Sequence, residues 1–154
     1  MNRLALFIAT CGYVGYAPVA PGTFGSAVGL ALAWGVRRGA SPAVEAAAMV
    51  LVVAIGVWAS TATERQLGLV DPGQIVIDEV AGMLITLAFI PLTTTVLLVG
   101  FFTFRAFDIL KPWPARRLER LPAGAGVMAD DVMAALYGNA VMHGAIAVAP
   151  GWFA

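Results

Sequence analysis

Four long apolar segments constrain this chain more than any other feature. They cover residues 23–36, 46–63, 80–104 and 132–149. Several approach the roughly 20 residues that a helix needs to cross a bilayer. None alternates strictly between apolar and polar residues, and alanine, leucine, methionine and glycine are frequent, which favours helices over strands. The sequence therefore predicts an all-α fold, a multihelical membrane-embedded bundle with irregular, broken helices. The simplest alternative is a very hydrophobic soluble helical protein.

Composition supports the membrane interpretation and excludes several classes of protein. Apolar residues make up 60% of the chain, above the roughly 45–50% of soluble domains. A length of 154 residues predicts a single domain over residues 1–154. The formal net charge of zero argues against nucleic acid as a partner. Cys11 is the only cysteine, which excludes an internal disulfide and a thiolate metal cluster. We expect no cleaved signal peptide, since no clear cleavage site follows the apolar start.

Pro91 lies inside the third apolar segment and divides it into two halves, each too short to cross a bilayer alone. If every segment crossed the membrane once, Asp78 and Glu79 would face the opposite side from Asp130 and Asp131. A bent or re-entrant hairpin at Pro91 would put all of these acids on one side. We expect the hairpin, because a single site could otherwise not use both pairs.

The two pairs of adjacent carboxylates, Asp78-Glu79 and Asp130-Asp131, each follow a glycine-containing turn and are predicted to open an apolar helix. Charged residues are only 12% of the chain, and unpaired acids are costly in apolar surroundings. Mg²⁺ prefers oxygen ligands at about 2.0–2.1 Å. The alternative is that the acids only cap helices, since negative charge is favourable at a helix N-terminus. Two such pairs in a nearly uncharged chain favour a metal site.

A second cluster contains Arg105, Asp108 and Lys111, which are spaced three residues apart on one helical face, so that Asp108 can meet either cation. Asp108 is a further candidate metal ligand. Arg105 can bind phosphate oxygens with its planar fork and Lys111 as a point charge. The alternative is a pair of ordinary surface salt bridges, which contribute little to stability.

A glycine-rich stretch, residues 15–26, leads into the first apolar segment. Such a loop before a helix can present backbone N–H groups and the hydroxyls of Thr23 and Ser26 to an anion. The alternative is a proline-broken helix entry in which Thr23 or Ser26 caps the helix.

Several phosphatase chemistries are excluded by absent residues. His143 is the only histidine, so a pair of catalytic histidines cannot be built. Ala17 stands six residues after Cys11, where the cysteine-phosphatase loop needs arginine, and no Asp-x-Asp pair is present. His143 is interpreted as a helix-packing residue.

We predict that Arg116, Arg117 and Arg120 form a basic surface for anionic lipid head groups. Aromatic residues are predicted at the membrane interface: Trp34, Trp58, Trp113, Trp152 and Phe153.

Taken together, these stretches resemble the phosphatidylglycerophosphatase A family. The matching motifs lie at residues 12–26, 71–82, 104–114 and 126–135, in the order in which the family has them. Ala135 departs from the pattern, which has glycine there. The resemblance implies an all-helical, Mg²⁺-dependent membrane phosphatase of bacteria. It would remove the terminal phosphate of phosphatidylglycerophosphate to give phosphatidylglycerol at the inner (cytoplasmic) membrane, with its site facing the cytoplasm.

The mechanism expected from this resemblance and these exclusions is direct attack of water on phosphorus. The predicted Mg²⁺ ligands are Asp78, Glu79, Asp130 and Asp131, with Asp108 as a further candidate. Arg105 and Lys111 would clamp the phosphate, assisted by Thr23 and Ser26. A carboxylate that does not bind metal would take the proton, and the sequence leaves open which one.

Three other functions are alternatives. A phosphatase for another lipid or polyprenyl phosphate would need the same site. A small transporter could use intramembrane acids to bind a cation. A CDP-alcohol phosphatidyltransferase is disfavoured, because its spaced aspartates and glycines are missing. The number of membrane crossings, the metal count and the oligomeric state stay open.

Overall fold

The computed structural model describes residues 2–38 and 41–154. These residues form seven α-helices and two short 3-10 turns, Val14–Tyr16 and Pro150–Trp152. The helices are α1 Arg3–Ala9, α2 Pro21–Arg37, α3 Pro42–Leu67, α4 Ile77–Thr86, α5 Thr94–Leu110, α6 Ala115–Leu118 and α7 Gly124–Val148. No strand occurs in the two described ranges, so the prediction of an all-α fold is confirmed.

Helix α4 is the centre of the structure, although it has only 10 residues. Its buried side chains include Val80, Met83 and Leu84. Helices α2, α3, α5 and α7 all pack against it. Two apolar clusters result, one around Met83 and Leu84 and one around Ile77 and Val80. Beyond its first turn, which carries Asp78 and Glu79, α4 has almost only apolar side chains, as expected of a helix in a core rather than at a surface, so α4 is held firmly in one position.

Glycines allow α2 to lie directly against α4. A Cβ added at Gly25 would come 2.8 Å from the Cβ of Val76, and one at Gly29 would come 2.7 Å from the Cβ of Met83. Both distances are too short for real side chains, so glycine is required at both positions for this close packing. The two helices run in the same direction, which places the start of α2 beside the start of α4.

The chain reverses direction between α4 and α5, as predicted from Pro91. Helix α4 ends at Thr86, and α5 begins after Thr93, whose hydroxyl accepts a hydrogen bond from Val96 N at 3.3 Å. Helix α5 returns antiparallel to α4, because Gly82 faces Phe104 and Gly100 faces Leu87. The end of α5 therefore lies beside the start of α4.

The opposite end of the bundle is fixed by a mostly buried ion pair. Arg37 Nη2 lies 2.8 Å from Glu45 Oε1 and donates to the carbonyl oxygen of Leu87 at 3.1 Å. Glu45 also accepts a hydrogen bond from Phe89 N at 3.0 Å. Arg37 and Arg38 thus lie at the other end of α2 from the acids. These two arginines therefore do not lie at the end of the bundle that carries the acids.

The predicted start of the last long helix is wrong. Helix α7 begins at Gly124, so that Asp130 and Asp131 lie in its second turn and do not open it. Gly124 packs so closely on α3 that a Cβ would come 2.4 Å from Val57 O, and its N–H donates to Thr61 Oγ1 at 3.1 Å. This contact with α3 stabilises the early start. Helix α2 begins at Pro21 without any capping side chain.

Among the residues that the structure describes, one helix is long and apolar enough to cross a membrane. It is α3, whose most apolar window has a mean hydropathy of 2.0. Only 22% of that window is buried inside the protein. The apolar surface of α3 is therefore mostly not covered by the other helices.

Replacing Gly29 with alanine tests the close packing of α2 on α4. The added methyl group would overlap Met83 and the backbone of Val80, and we expect the free energy of unfolding to fall by about 1–3 kcal/mol. Gly35→Ala is the matched control in the same helix, because nothing lies within 4 Å of a Cβ there. That variant should be neutral or stabilised by up to about 1 kcal/mol. Thermal unfolding in detergent micelles measures both, and equal stabilities would contradict the packing argument.

Candidate metal and phosphate site

One polar cavity of about 280 Å³ lies where four helices and a loop meet. The start of α2 and the start of α4 form one side, and the end of α5 and the second turn of α7 form the other. The loop of residues 71–75 closes the edge. The charged lining residues are Asp71, Asp78, Glu79, Arg105, Asp108, Lys111, Asp130 and Asp131. The predicted convergence of the two acid pairs is thus observed in the structure.

Three carboxylates from two helices come within reach of a single ion. Asp78, Glu79 and Asp131 each place one oxygen so that the three oxygens lie within 4.8 Å of one another. Asp78 and Glu79 come from the first turn of α4. Asp131 reaches them from α7, whose next turn presents the small, fully buried Ala134 and Ala135. Asp130 lies beside this three-acid group but is not part of it.

The buried oxygens at this cavity lack hydrogen-bond donors. Asp78 Oδ1, Glu79 Oε2, Asp130 Oδ1 and Asp131 Oδ2 have no partner among the described residues. Buried carboxylate oxygens without a partner are costly, and four of them around one cavity can be satisfied by a cation, by bound solvent or by protonation. Carboxylate oxygens are ligands of a hard divalent cation such as Mg²⁺. The donor set therefore fits such an ion, while the role of each acid as a ligand stays a prediction.

Burial and like charge raise the pKa values of these acids. Burial is the main cause of the strongly raised pKa of Asp78, and the charges of Glu79 and Asp131 add to it. The pKa of Asp131 is raised well above its usual range by burial, then by the charges of Asp108 and Glu79. Burial also raises the pKa values of Glu79 and Asp130. The acids thus resist ionising together unless positive charge is added.

Two cations line the cavity, each already paired with an acid. Arg105 Nη1 lies 2.5 Å from Asp108 Oδ2 and 3.5 Å from Glu79 Oε1. Lys111 Nζ lies 2.6 Å from Asp130 Oδ2 and 3.3 Å from Glu119 Oε1. Asp108 therefore pairs with Arg105, while Lys111 pairs across to α7. Burial alone would lower the pKa of Lys111, but its bonds to Asp130 and Glu119 outweigh burial and raise it.

Thr23 and Ser26, predicted to bind phosphate, do not line the cavity. Thr23 is exposed, and the buried Ser26 hydroxyl donates to the carbonyl oxygen of Gly22 at 2.9 Å. Their role in phosphate binding stays a prediction that this arrangement does not favour. Gly22 lines the cavity in their place, and a Cβ there would come 2.1 Å from Glu79 Oε1. Gly22 thus lets the backbone of α2 approach the acids.

Asp71 is a cavity residue that the sequence reasoning missed. The sequence indicates only a turn at this point, because proline and glycine follow Asp71 directly. Its backbone has φ of +44°, unusual for a residue other than glycine, and its N–H donates to Glu64 Oε1 at 2.8 Å. Burial raises the pKa of Asp71. In the sequence, the sign that Asp71 could belong to the site is its position shortly before Asp78. A turn accounts for an aspartate at this position equally well.

No side chain with the chemistry of a strong nucleophile lines the cavity within residues 2–38 and 41–154. Burial, with a smaller effect of the Glu79 charge, raises the pKa of Cys11 to about 12, so its thiol stays protonated at neutral pH. His143 lies at the other end of α7, where its Nε2 is 3.3 Å from the carbonyl oxygen of Ala88. The cavity therefore offers carboxylates, two cations and room for water.

Comparison with known proteins identifies relatives over most of the chain. The sequence profile of the family described as phosphatidylglycerophosphatase A matches residues 7–146. Phosphatidylglycerophosphatase A of Haemophilus influenzae is 40% identical over 77% of this chain and 74% of the relative. Its Escherichia coli counterpart is 33% identical over 84% and 76%. A provisionally named phosphatidylinositol-3-phosphatase of Bacteroides thetaiotaomicron is 36% identical over 87% and 88%. No solved structure matches the chain.

The raised pKa values predict how stability depends on pH and on a divalent cation. In the unfolded chain the acids lose their protons at lower pH than in the folded protein. The stability of the metal-free protein should therefore fall as pH rises from about 4 through the raised pKa values. Added MgCl₂ should raise the melting temperature more at pH 8 than at lower pH, because protons compete with the cation for the raised-pKa acids.

The variant Asp131→Asn separates these two effects. It should be more stable than the parent protein at pH 8 without metal, because one buried charge is removed, and it should lose the shift caused by MgCl₂. Thermal unfolding with EDTA or MgCl₂ measures both quantities. A variant that keeps the full magnesium shift would contradict the three-acid group as the binding site.

Proposed function

This chain belongs to the phosphatidylglycerophosphatase A family, and we propose that it hydrolyses the terminal phosphomonoester of phosphatidylglycerophosphate with the help of Mg²⁺. The products are phosphatidylglycerol and inorganic phosphate. The observation that supports this function best is the cavity itself, in which three carboxylates lie within 4.8 Å beside two cations. A hydrolase for phosphate esters needs both a place for metal and positive charge for phosphate.

The three-acid group is the proposed holder of Mg²⁺. Asp78, Glu79 and Asp131 supply one oxygen each, and the unpartnered Oδ1 of Asp130 is available beside them. When bound, Mg²⁺ supplies positive charge that activates water and offsets charge on the transferred phosphoryl group. The acids are placed by helices rather than by loops, which keeps the site pre-organised.

Arg105 and Lys111 are proposed to position the phosphate. Only Nη1 of Arg105 is engaged by acids in the described part of the chain, which leaves Nη2 and Nε to donate to phosphate oxygens. Lys111 Nζ lies between Asp130 and Glu119 and can exchange one carboxylate for a phosphate oxygen. The existing ion pairs hold both side chains in place before substrate arrives, so little rotamer entropy is lost on binding.

The proposed reaction is direct hydrolysis. A water oxygen forms a bond to phosphorus as the bond from phosphorus to the lipid glycerol oxygen breaks. One proton of the water goes to a carboxylate, and the leaving oxygen takes a proton from solvent to become an alcohol. Apart from Asp130, which is available to the metal, the cavity acids outside the three-acid group are Asp71 and Asp108, and either can accept the proton. The raised pKa of Asp71 suits this task.

The proposed location is the bacterial inner membrane, with the cavity on the cytoplasmic side. Two buried glutamates, Glu45 and Glu64, mark the two ends of the apolar helix α3. The helical rise puts them about 28 Å apart, close to the hydrocarbon thickness of roughly 30 Å. Arg37 and Arg38 lie at the end away from the cavity, and the other seven of the nine basic residues lie towards the cavity end. The excess of positive charge predicts that the cavity end is cytoplasmic.

A second candidate substrate is a phosphorylated phosphatidylinositol. It is favoured by one observation, the name of the Bacteroides thetaiotaomicron relative. Supplying the purified protein with both lipids at equal concentration decides between them through the ratio of kcat/KM values. Release of phosphate from neither lipid would contradict both proposals and would favour the alternative of a cation transporter.

Loss of a metal-holding acid should stop the reaction. Asp78→Asn should lower kcat for phosphatidylglycerophosphate by at least about 10³-fold, because both metal binding and phosphoryl charge compensation depend on this group. Arg65→Gln is the control, since Arg65 is exposed on α3 and does not line the cavity. Phosphate release by purified protein in MgCl₂ or EDTA gives the measurement. Full activity of the parent protein in EDTA would remove Mg²⁺ from the mechanism.

Replacing Cys11 with alanine tests the absence of a thiol nucleophile. Because the Cys11 thiol is protonated at neutral pH, Cys11→Ala should keep kcat within about twofold of the parent value. The parent protein should also resist iodoacetamide. A complete loss of turnover in a variant that keeps its melting temperature would show that the thiol takes part.

A further inference from the structure

A second polar groove adjoins the cavity. It has a volume of about 410 Å³ and is lined by Leu110, Lys111, Trp113, Arg116, Arg117 and Arg120. Its charged side chains are all basic, whereas the cavity is mainly acidic. Lys111 lines both spaces, so the groove begins where the cavity ends.

In the described part of the chain, no acid neutralises the three arginines of the groove. Within residues 2–38 and 41–154, no carboxylate lies within 4.0 Å of a guanidinium nitrogen of Arg116, Arg117 or Arg120. The acid next to them in sequence, Glu119, pairs with Lys111 instead. Three exposed arginines with free donors on one short segment attract an anion that can accept several hydrogen bonds.

The groove is built on a well-anchored segment. Ala115, in the middle of the basic residues, is fully buried, and its N–H donates to Pro112 O at 2.8 Å. The Tyr137 hydroxyl of α7 donates to Trp113 O at 2.9 Å. Helix α6 therefore rests on α7, the same helix that carries Asp130 and Asp131. The basic groove and the acidic cavity are thus held in a fixed relation.

Both candidate substrates carry two anionic groups, which matches the presence of two adjoining spaces, the basic groove and the acidic cavity. Phosphatidylglycerophosphate and a phosphatidylinositol 3-phosphate each carry two phosphates on a polyol: a phosphodiester to the diacylglycerol and a phosphomonoester. We propose that the basic groove binds the phosphodiester while the cavity binds the phosphomonoester, with Lys111 between the two anions. This inference rests on the proposed function and adds the specificity: the enzyme selects lipids with both phosphates over lipids with a monoester alone.

The test compares two lipids with the same acyl chains in neutral detergent micelles. Phosphatidylglycerophosphate has both phosphates, and phosphatidic acid has only the monoester. The double variant Arg116→Gln/Arg117→Gln should raise KM for phosphatidylglycerophosphate at least about tenfold, as expected for a lost charge-assisted hydrogen bond, with little change in kcat. Its kcat/KM for phosphatidic acid should stay within about twofold. Arg65→Gln, an exposed arginine outside the groove, should change neither value.

Two outcomes would overturn the inference. Equal losses on both lipids would show that the groove does not distinguish the phosphodiester. A loss that appears only in vesicles of anionic lipid, and not in neutral micelles, would assign the arginines to the surrounding membrane surface. Unchanged melting temperatures check that the exposed substitutions leave the fold intact.

A binding experiment separates this inference from the proposed activity. Phosphatidylglycerol has the phosphodiester without the monoester, and its binding in neutral micelles can be measured by calorimetry whether or not the protein turns over substrate. The parent protein should bind it, and the double variant should bind it at least about tenfold more weakly. Equal binding by both would overturn the groove assignment, whereas absence of turnover alone would overturn only the proposed reaction.

Discussion

The repulsion among carboxylates at one end of the bundle is the interaction that the rest of the structure has to overcome. Asp78, Glu79 and Asp131 lie within 4.8 Å of one another, and burial makes their mutual repulsion stronger than it would be in water. The two ion pairs formed by Arg105 and Lys111 offset part of this cost. The remaining unpartnered oxygens leave the site prepared for an added cation, so the same charges that weaken the metal-free fold give the site its affinity.

The apolar centre of the bundle supplies the opposing stabilisation. Helix α4 carries two of the acids at its start, and the rest of it is buried among four other helices. Met83 and Leu87 are almost fully buried, and side chains of this kind contribute roughly 1.5–3 kcal/mol each. Close packing at Gly25 and Gly29 fixes the position of α2 along the axis of α4. The acids are held together because the helices that carry them cannot slide apart without opening this core.

The sequence predicted the parts of the site that depend on local rules and missed those that depend on packing between distant segments. Pro91 interrupts a helix by its own chemistry, so the reversal between α4 and α5 followed from the sequence. The start of α7 at Gly124 depends on contact with Val57 and Thr61 of α3, which no local pattern reveals. The pairing of Lys111 with Asp130 likewise arises across two helices, and helical spacing alone suggested Asp108 as a partner.

The two basic clusters of the chain show why coordinates are needed to assign function to charge. Arg37 and the arginines of α6 look alike in sequence, as basic residues next to apolar segments. Arg37 is mostly buried and is engaged by Glu45 and by backbone carbonyl oxygens after the end of α4. Its charge therefore stabilises the contact between helices at this end of the bundle. The guanidinium groups of α6 face solvent beside the cavity, on a segment anchored by the buried Ala115. A charge with its partners in the fold stabilises structure, while the arginines of α6, which have no carboxylate partner in the described part of the chain, are available to a ligand.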